Sequence, residues 1–200
     1  MINSDPRFWL GPVLQRFGEK ADWRRLHEAL RSAFAYYEEA HLHATDEEKA
    51  REIWRETDLR LLRGLGVKRA EAVADWLVTH WEEPGLWPKT PGTPEVLEEL
   101  KKRGLRLAVV SNWDVLLPRV LAAMGLLPYF DAVFASAALG VKKPDPAIYA
   151  HALKALDLRP EEVLFVGDRP DADVEMPRRL GMRSLQVEPR TGIWPVLDVL

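Results

Sequence analysis

The sequence predicts an α/β protein, with a helical bundle followed by a core built on a parallel sheet. Three observations carry this: apolar positions repeat with helical period through the first 83 residues, short unbroken apolar runs alternate with helical stretches after residue 95, and the segment between them is dense in proline. The resulting boundaries are 1–83 for the bundle, 84–94 for a hinge or linker and 95–200 for the α/β core.

A short helix around Phe8 to Phe17 opens the bundle. Asp22 is placed to cap a longer helix in which Trp23, Leu26, Leu30, Phe34 and Tyr37 recur at helical spacing. Thr45-Asp46-Glu47-Glu48 has the capping-box pattern ahead of the next helix, which carries Ile53, Leu59 and Leu62 and stops at Gly64 or Gly66. A further helix covers about Lys68 to Trp81. Trp9, Trp23, Trp54, Trp76 and Trp81 read as core more than as an interaction surface. His41 and His43, two apart and so on different helix faces, read as solvated. Pro84, Pro88, Pro91 and Pro94 then exclude a regular element.

Beyond the prolines the chain alternates. Helices are expected over Glu95–Arg103, Val115–Met124, Pro146–Leu156 and Asp173–Leu180, and strands over Leu105–Val110, Ala132–Ala135, Val163–Val166 and Ser184–Val187. Runs such as LRLAVV and EVLFVG lack polar alternation, which is the pattern of parallel strands covered on both faces.

Composition narrows the function. Two hundred residues, 47% of them apolar, are enough for a substantial core. A net charge of −3 lacks the basic excess that nucleic acid or an anionic membrane selects. With no cysteine, a thiol nucleophile, a disulfide framework and a thiolate metal site are excluded, and a reducing, cytoplasmic setting is expected. No apolar run approaches the ~18 to 20 residues of a membrane helix, and the segment after Met1 does not read as a signal peptide.

In an open parallel sheet, ligands bind beyond the carboxyl ends of the strands. The residues there are Ser111-Asn112-Trp113-Asp114, then Ser136, then Gly167-Asp168-Arg169-Pro170-Asp171-Ala172-Asp173. Gly167 permits a sharp turn off its strand. Asp168 and Asp173 suit Mg²⁺, which takes one or two protein carboxylates and leaves its other positions to water and phosphate oxygens. The same acids would also suit a helix N-terminus on dipole grounds alone. In Val141-Lys142-Lys143-Pro144-Asp145-Pro146 the prolines fix a turn that holds a lysine as an anion's counter-ion. Ser111 and Asn112 add a hydroxyl and an amide. Arg169 faces either a phosphate or solvent.

This ordered set resembles the haloacid dehalogenase-like (HAD) superfamily of hydrolases. The resemblance runs from residue 88 to 187 through PGTPEVLEELKKRGLRLAVVSNWD, FDAVFAS and GVKKPDPAIYAHALKALDLRPEEVLFVGDRPDADVEMPRRLGMRS. Ser111 matches the family's second motif with Asn112 beside it, Lys143 the third, and Gly167, Asp168 and Asp173 the fourth, G-D-x-x-x-x-D. The resemblance implies a Rossmannoid parallel sheet core with an α-helical cap, Mg²⁺ held by Asp168 and Asp173, and a small phosphorylated metabolite or free phosphate as partner.

The family's first motif, an apolar strand ending D-x-D-G-T that supplies the nucleophilic aspartate, has no counterpart here. Asp5 lacks a preceding strand, and Asp198 lies in an apolar run too close to the end. Without that motif the phosphoryl group has no covalent acceptor and Mg²⁺ binding is weakened, so little or no hydrolysis is expected. Two origins are expected for this: an internal start codon in a phosphatase, or a shortened pseudo-enzyme that binds phosphate or a protein. A 2-haloacid dehalogenase, which needs no metal, fits the acidic pair less well. That strand is also central to the family's sheet, so the gap is expected to be closed by direct pairing of the strands at 105–110 and 163–166, by the C-terminal run, or by another chain, as in a homodimer.

Overall fold

The computed structural model describes residues 5–188 and 192–200, so 1–4 of the opening segment lie outside the described residues. Four helices make the first half: α1 (Pro6–Arg16), α2 (Leu26–Ala40), α3 (Glu47–Gly64) and α4 (Ala70–His80). Asp22 caps a single 3₁₀ turn (Trp23–Arg25), and α2 begins only after it, while His41–His43 forms a second such turn. The cap of α3 is Asp46, whose carboxylate accepts from Lys49 N. Gly64 ends α3 in close contact with α2: a Cβ there would stand 2.7 Å from Ala29 Cβ. Leu10, Leu14, Leu62, Leu65 and Val73 fill the bundle core.

The second half alternates as expected, with α5 (Thr93–Lys102), β1 (Ala108–Ser111), α6 (Leu117–Ala123), β2 (Ala132–Ala135), α7 (Ser136–Leu139), α8 (Pro146–Leu156), β3 (Leu164–Gly167), α9 (Met176–Arg179) and β4 (Arg183–Gln186). A π-helical turn, Pro170–Glu175, replaces the first part of the expected Asp173–Leu180 helix. Among the described residues the strand pairing is parallel, β1 with β2 and β3 with β4, but the result is two two-stranded sheets.

Direct pairing across the gap does not occur, since β1 and β3 do not pair. The C-terminal run supplies no strand; it forms a 3₁₀ turn (Trp194–Asp198), with Ile193 and Val196 buried beside Val96 and Leu100 of α5 and packed with Leu107, Leu164 and Val166 at the gap. Among the described residues no strand lies between the two sheets. A cavity of about 430 Å³ does, lined by residues 105–111 on one side and 162–168 on the other. The strands are therefore not covered as their sequences suggest: Ala108 is exposed and all of β3 is half-buried. Their apolar side chains end at a slot instead of at a neighbouring strand.

The halves share a second core. Tyr37 of α2 and Ile53 of α3 are buried with Leu116, Leu117, Val120 and Leu121. The proline-rich connection is itself packed. Thr93 Oγ1 donates to Thr90 O, Trp87 Nε1 donates to Trp81 O, and Gly92, in the left-handed region at φ 74°, lies so close to the Trp194 indole that a Cβ would stand 2.2 Å from it. No helix among the described residues is long and apolar enough to cross a membrane.

Candidate phosphate site at the strand ends

The residues after β1 and those before α8 are tied together by one reciprocal pair. Asn112 Nδ2 donates to Lys143 O at 2.9 Å, and Lys143 N donates to Asn112 Oδ1 at 2.7 Å. Both ends of the Asn112 amide are thus committed to backbone, and the residue positions Lys143. The lysine side chain is only 10% exposed. Its Nζ lies 2.6 Å from Asp173 Oδ1 and 5.3 Å from the centre of the Phe165 ring. A buried ammonium needs such a partner, because removing it from water costs more than packing returns.

Asp173, whose side chain is 5% exposed, is held on its other oxygen by Arg169 N at 3.1 Å. Gly167 does not take the left-handed backbone that a sharp turn would demand. The reason for glycine is contact: a Cβ at 167 would stand 2.2 Å from Asp173 Oδ2. Tyr149 donates to Ala172 O and fixes the same loop from α8. Arg169 answers the question left by its position, since its guanidinium reaches Glu38 of α2 at 3.1 Å and Asp171 at 3.3 Å.

Ser111, Lys143, Asp168 and Asp173 all line the slot between the sheets. Asp168 and Asn112 also line a second cavity, of about 320 Å³, that extends between the first four helices and the core. Asp168 therefore stands where the two cavities meet, exposed, and with no side-chain partner among the described residues. Mg²⁺ requires one or two carboxylates from the protein, and Asp168 is suited to be one. Each oxygen of Asp173 accepts one hydrogen bond, from Lys143 Nζ and from Arg169 N. Among the described residues no three His, Asp or Glu side chains come together as a ready metal site. Of the two substitutes for a nucleophile, Asp5 caps α1 and pairs with Arg7, and Asp198 is exposed in the terminal 3₁₀ turn.

Sequence reasoning missed the polar groups that join the two halves above this site. Asp114 is fully buried, and its carboxylate accepts from Tyr37 OH and Trp54 Nε1, each at 2.7 Å, and from Leu116 N at 2.8 Å. Burial and the adjacent Asp114 carboxylate raise the Tyr37 hydroxyl well above its ordinary pKa, so it remains a donor. His41, expected in solvent, is fully buried: Nδ1 lies 3.0 Å from Tyr37 O and Nε2 2.9 Å from Ser136 Oγ. A carbonyl only accepts, so Nδ1 carries the proton, and the one Ser136 hydroxyl hydrogen lies between two acceptors, His41 Nε2 and Trp113 O at 3.1 Å. Desolvation lowers the pKa of this ring. His43 is exposed, as expected.

Residues 12–181 match the family model described as haloacid dehalogenase-like hydrolase. The human haloacid dehalogenase-like hydrolase domain-containing protein 3 is 36% identical over 151 residues, which cover 74% of this chain and 60% of that protein. The phosphoserine phosphatase of Thermus thermophilus is 35% identical over 122 residues, 60% of this chain and 48% of the enzyme. The chain thus spans about half to 60% of the length of these relatives. Among solved structures, the L-2-haloacid dehalogenase of Xanthobacter autotrophicus aligns with a TM-score of 0.59 and 26% identity over 83% of this chain and 63% of that one. A dehalogenase solved as an intermediate complex aligns with a TM-score of 0.70 and 23% identity over 90% and 79%. With a family model that covers most of its length, the chain belongs to the haloacid dehalogenase-like hydrolases.

Proposed function

We propose that the junction of the two cavities binds the phosphoryl group of a small phosphomonoester, in the manner of a Mg²⁺-dependent phosphatase, and that this chain as written turns it over poorly. The observation that carries the reading is the buried Lys143–Asp173 pair, locked by Asn112 beside the uncommitted Asp168. Lys143 Nζ keeps two donors beyond the one given to Asp173, and the Ser111 hydroxyl lines the same slot. Asp168 would hold the metal, with Asp173 behind it orienting Lys143. Bound there, Mg²⁺ would neutralise phosphoryl charge.

Hydrolysis also needs an acceptor for the phosphoryl group, and among the described residues the side-chain carboxylates lining the slot are Glu162, Asp168 and Asp173. Glu162 pairs with Arg159 at the far end of β3, and the other two have the roles just described. None is left as a nucleophile. A phosphatase is favoured over a dehalogenase because relatives that match about 60% of this chain are named phosphatases and because Asp168 offers a cation ligand. A binding protein without turnover is the second reading, and the same missing carboxylate supports it.

Titration with inorganic phosphate, with and without Mg²⁺, followed by tryptophan fluorescence, tests the reading. Binding should be strengthened by Mg²⁺, and at least tenfold weaker in Asp168→Asn. Binding indifferent to both would overturn it. Turnover of an aryl phosphate at ordinary enzyme rates, abolished in Asp168→Ala, would show that a nucleophile is present after all.

A further inference from the structure

The cavity between the first four helices and the core is walled by aromatic rings. Tyr37, Trp54, Trp87 and Trp113 form one contiguous cluster there, with centroids 4.6 Å apart for Tyr37 and Trp54, 5.5 Å for Trp54 and Trp113, and 5.8 Å for Trp87 and Trp113. Trp54, Asp58 and Leu61 stand at i, i+4 and i+7 on α3 and present one stripe to the cavity. Asp58 has no hydrogen-bond or ion-pair partner among the described residues. An unpartnered carboxyl in an apolar cavity is costly, and nothing in the packing of α3 requires it.

We infer that this cavity takes an organic cation, an alkylammonium group on the alcohol part of the phosphomonoester, with Asp58 as its counter-ion and the aromatic cluster as its wall. The inference rests on the phosphomonoester reading, since Asp168 and Asn112 form the core end of the same cavity. Alkylammonium groups favour aromatic faces because the ring quadrupole is negative there, and the attraction grows when water is excluded. The other charges lining the cavity agree. Glu38 and Asp168 are acidic, and Arg51, the one basic residue of the lining among the described residues, is drawn off by Glu47 at 2.5 Å. Glu38 is already engaged by Arg169 and lies 3.7 Å from Lys142. With Asp168 assigned to the metal, Asp58 is the anion left for a cationic ligand.

Burial alone raises the Asp58 carboxyl to about 8. With the cavity empty, the group therefore holds its proton near neutral pH. An ammonium beside it favours the charged form, so binding releases that proton. Below pH 8 affinity should rise with pH, approaching tenfold per unit.

Choline and its neutral carbon isostere 3,3-dimethylbutan-1-ol, titrated into the full chain and followed by calorimetry and tryptophan fluorescence, test the inference. Choline should bind at least tenfold more tightly at pH 8, and the preference should decline toward pH 6. Asp58→Asn should bind the two equally and without pH dependence, and Asp58→Leu should likewise lose the preference. Both variants should fold as well as the parent, checked by circular dichroism, because each removes a desolvated carboxyl. Equal binding by the parent, binding of neither probe, or a preference retained in Asp58→Asn would overturn the inference. Neither probe carries phosphate, so failure of this test is distinguishable from failure of the inorganic phosphate titration, and failure here leaves the phosphate reading standing.

Discussion

Two boundaries run through this molecule, and they are finished differently. At the seam between the first four helices and the core, every polar group of the Asp114 carboxylate and the His41 ring has a partner, and aromatic rings fill the space around them. At the slot between the two sheets, β1 and β3 turn apolar side chains toward a cavity and neither is paired across it. The hydrogen bonds of the seam hold Tyr37 and Trp54 in the wall of the ligand cavity above Asp168, where Trp113 Nε1 is buried without a hydrogen-bond partner among the described residues. The slot keeps its order only at its mouth, where the Lys143–Asp173 pair closes it. Stability and ligand geometry should therefore respond to different substitutions on the two sides.

The largest effect should come from the mouth of the slot. Asp173→Ala leaves the buried Lys143 ammonium without a counter-charge and should cost about 3 to 5 kcal/mol in urea denaturation, with phosphate binding lost. A loss below about 1 kcal/mol would mean that the slot admits enough water to solvate the lysine. On the seam, Asp114→Ala strips an acceptor from Tyr37 OH, Trp54 Nε1 and Leu116 N and should cost about 2 to 3 kcal/mol. It should also relax the cavity wall, visible as a red shift in tryptophan emission; unchanged emission would show that packing alone holds the seam.

The smallest effect is a pH dependence confined to the seam. Because burial lowers the folded-state pKa of His41 below its ordinary 6.5, the unfolded chain binds the proton first as pH falls. The stability contributed by the neutral ring is complete above about pH 6.5 and declines on acidification toward the folded-state pKa. His41→Gln should flatten the stability curve between pH 7 and 5 relative to the parent. An identical slope in the two proteins would assign the acid sensitivity elsewhere.

Much of the site was legible in the sequence because it depends on local order. Ser111, Lys143, Asp168 and Asp173 each follow a strand or fill a proline-fixed turn, and a parallel sheet delivers its strand ends to one edge whatever else surrounds it. Asn112 was legible as a polar residue but not as the clamp on Lys143, which depends on a contact across 31 residues. His41 was misread for the same reason: its partner Ser136 lies 95 residues away, and spacing along a helix cannot report what covers a face. Gly167 was read correctly as required and wrongly as a turn residue, since the reason is the neighbouring Asp173 side chain. Asp58 gave no signal among the many charges of α3, because its isolation is a property of the cavity.

The alternation of helix and strand, the parallel pairing and the order of the polar strand ends follow from periodicity and residue type, which act over a few positions. The separation of the sheets, the burial of Asp114 and His41, and the cavity that leaves Asp58 without a partner were decided only in the tertiary structure. They depend on which distant surfaces exclude water from one another, and solvent exclusion is a property of the assembled chain.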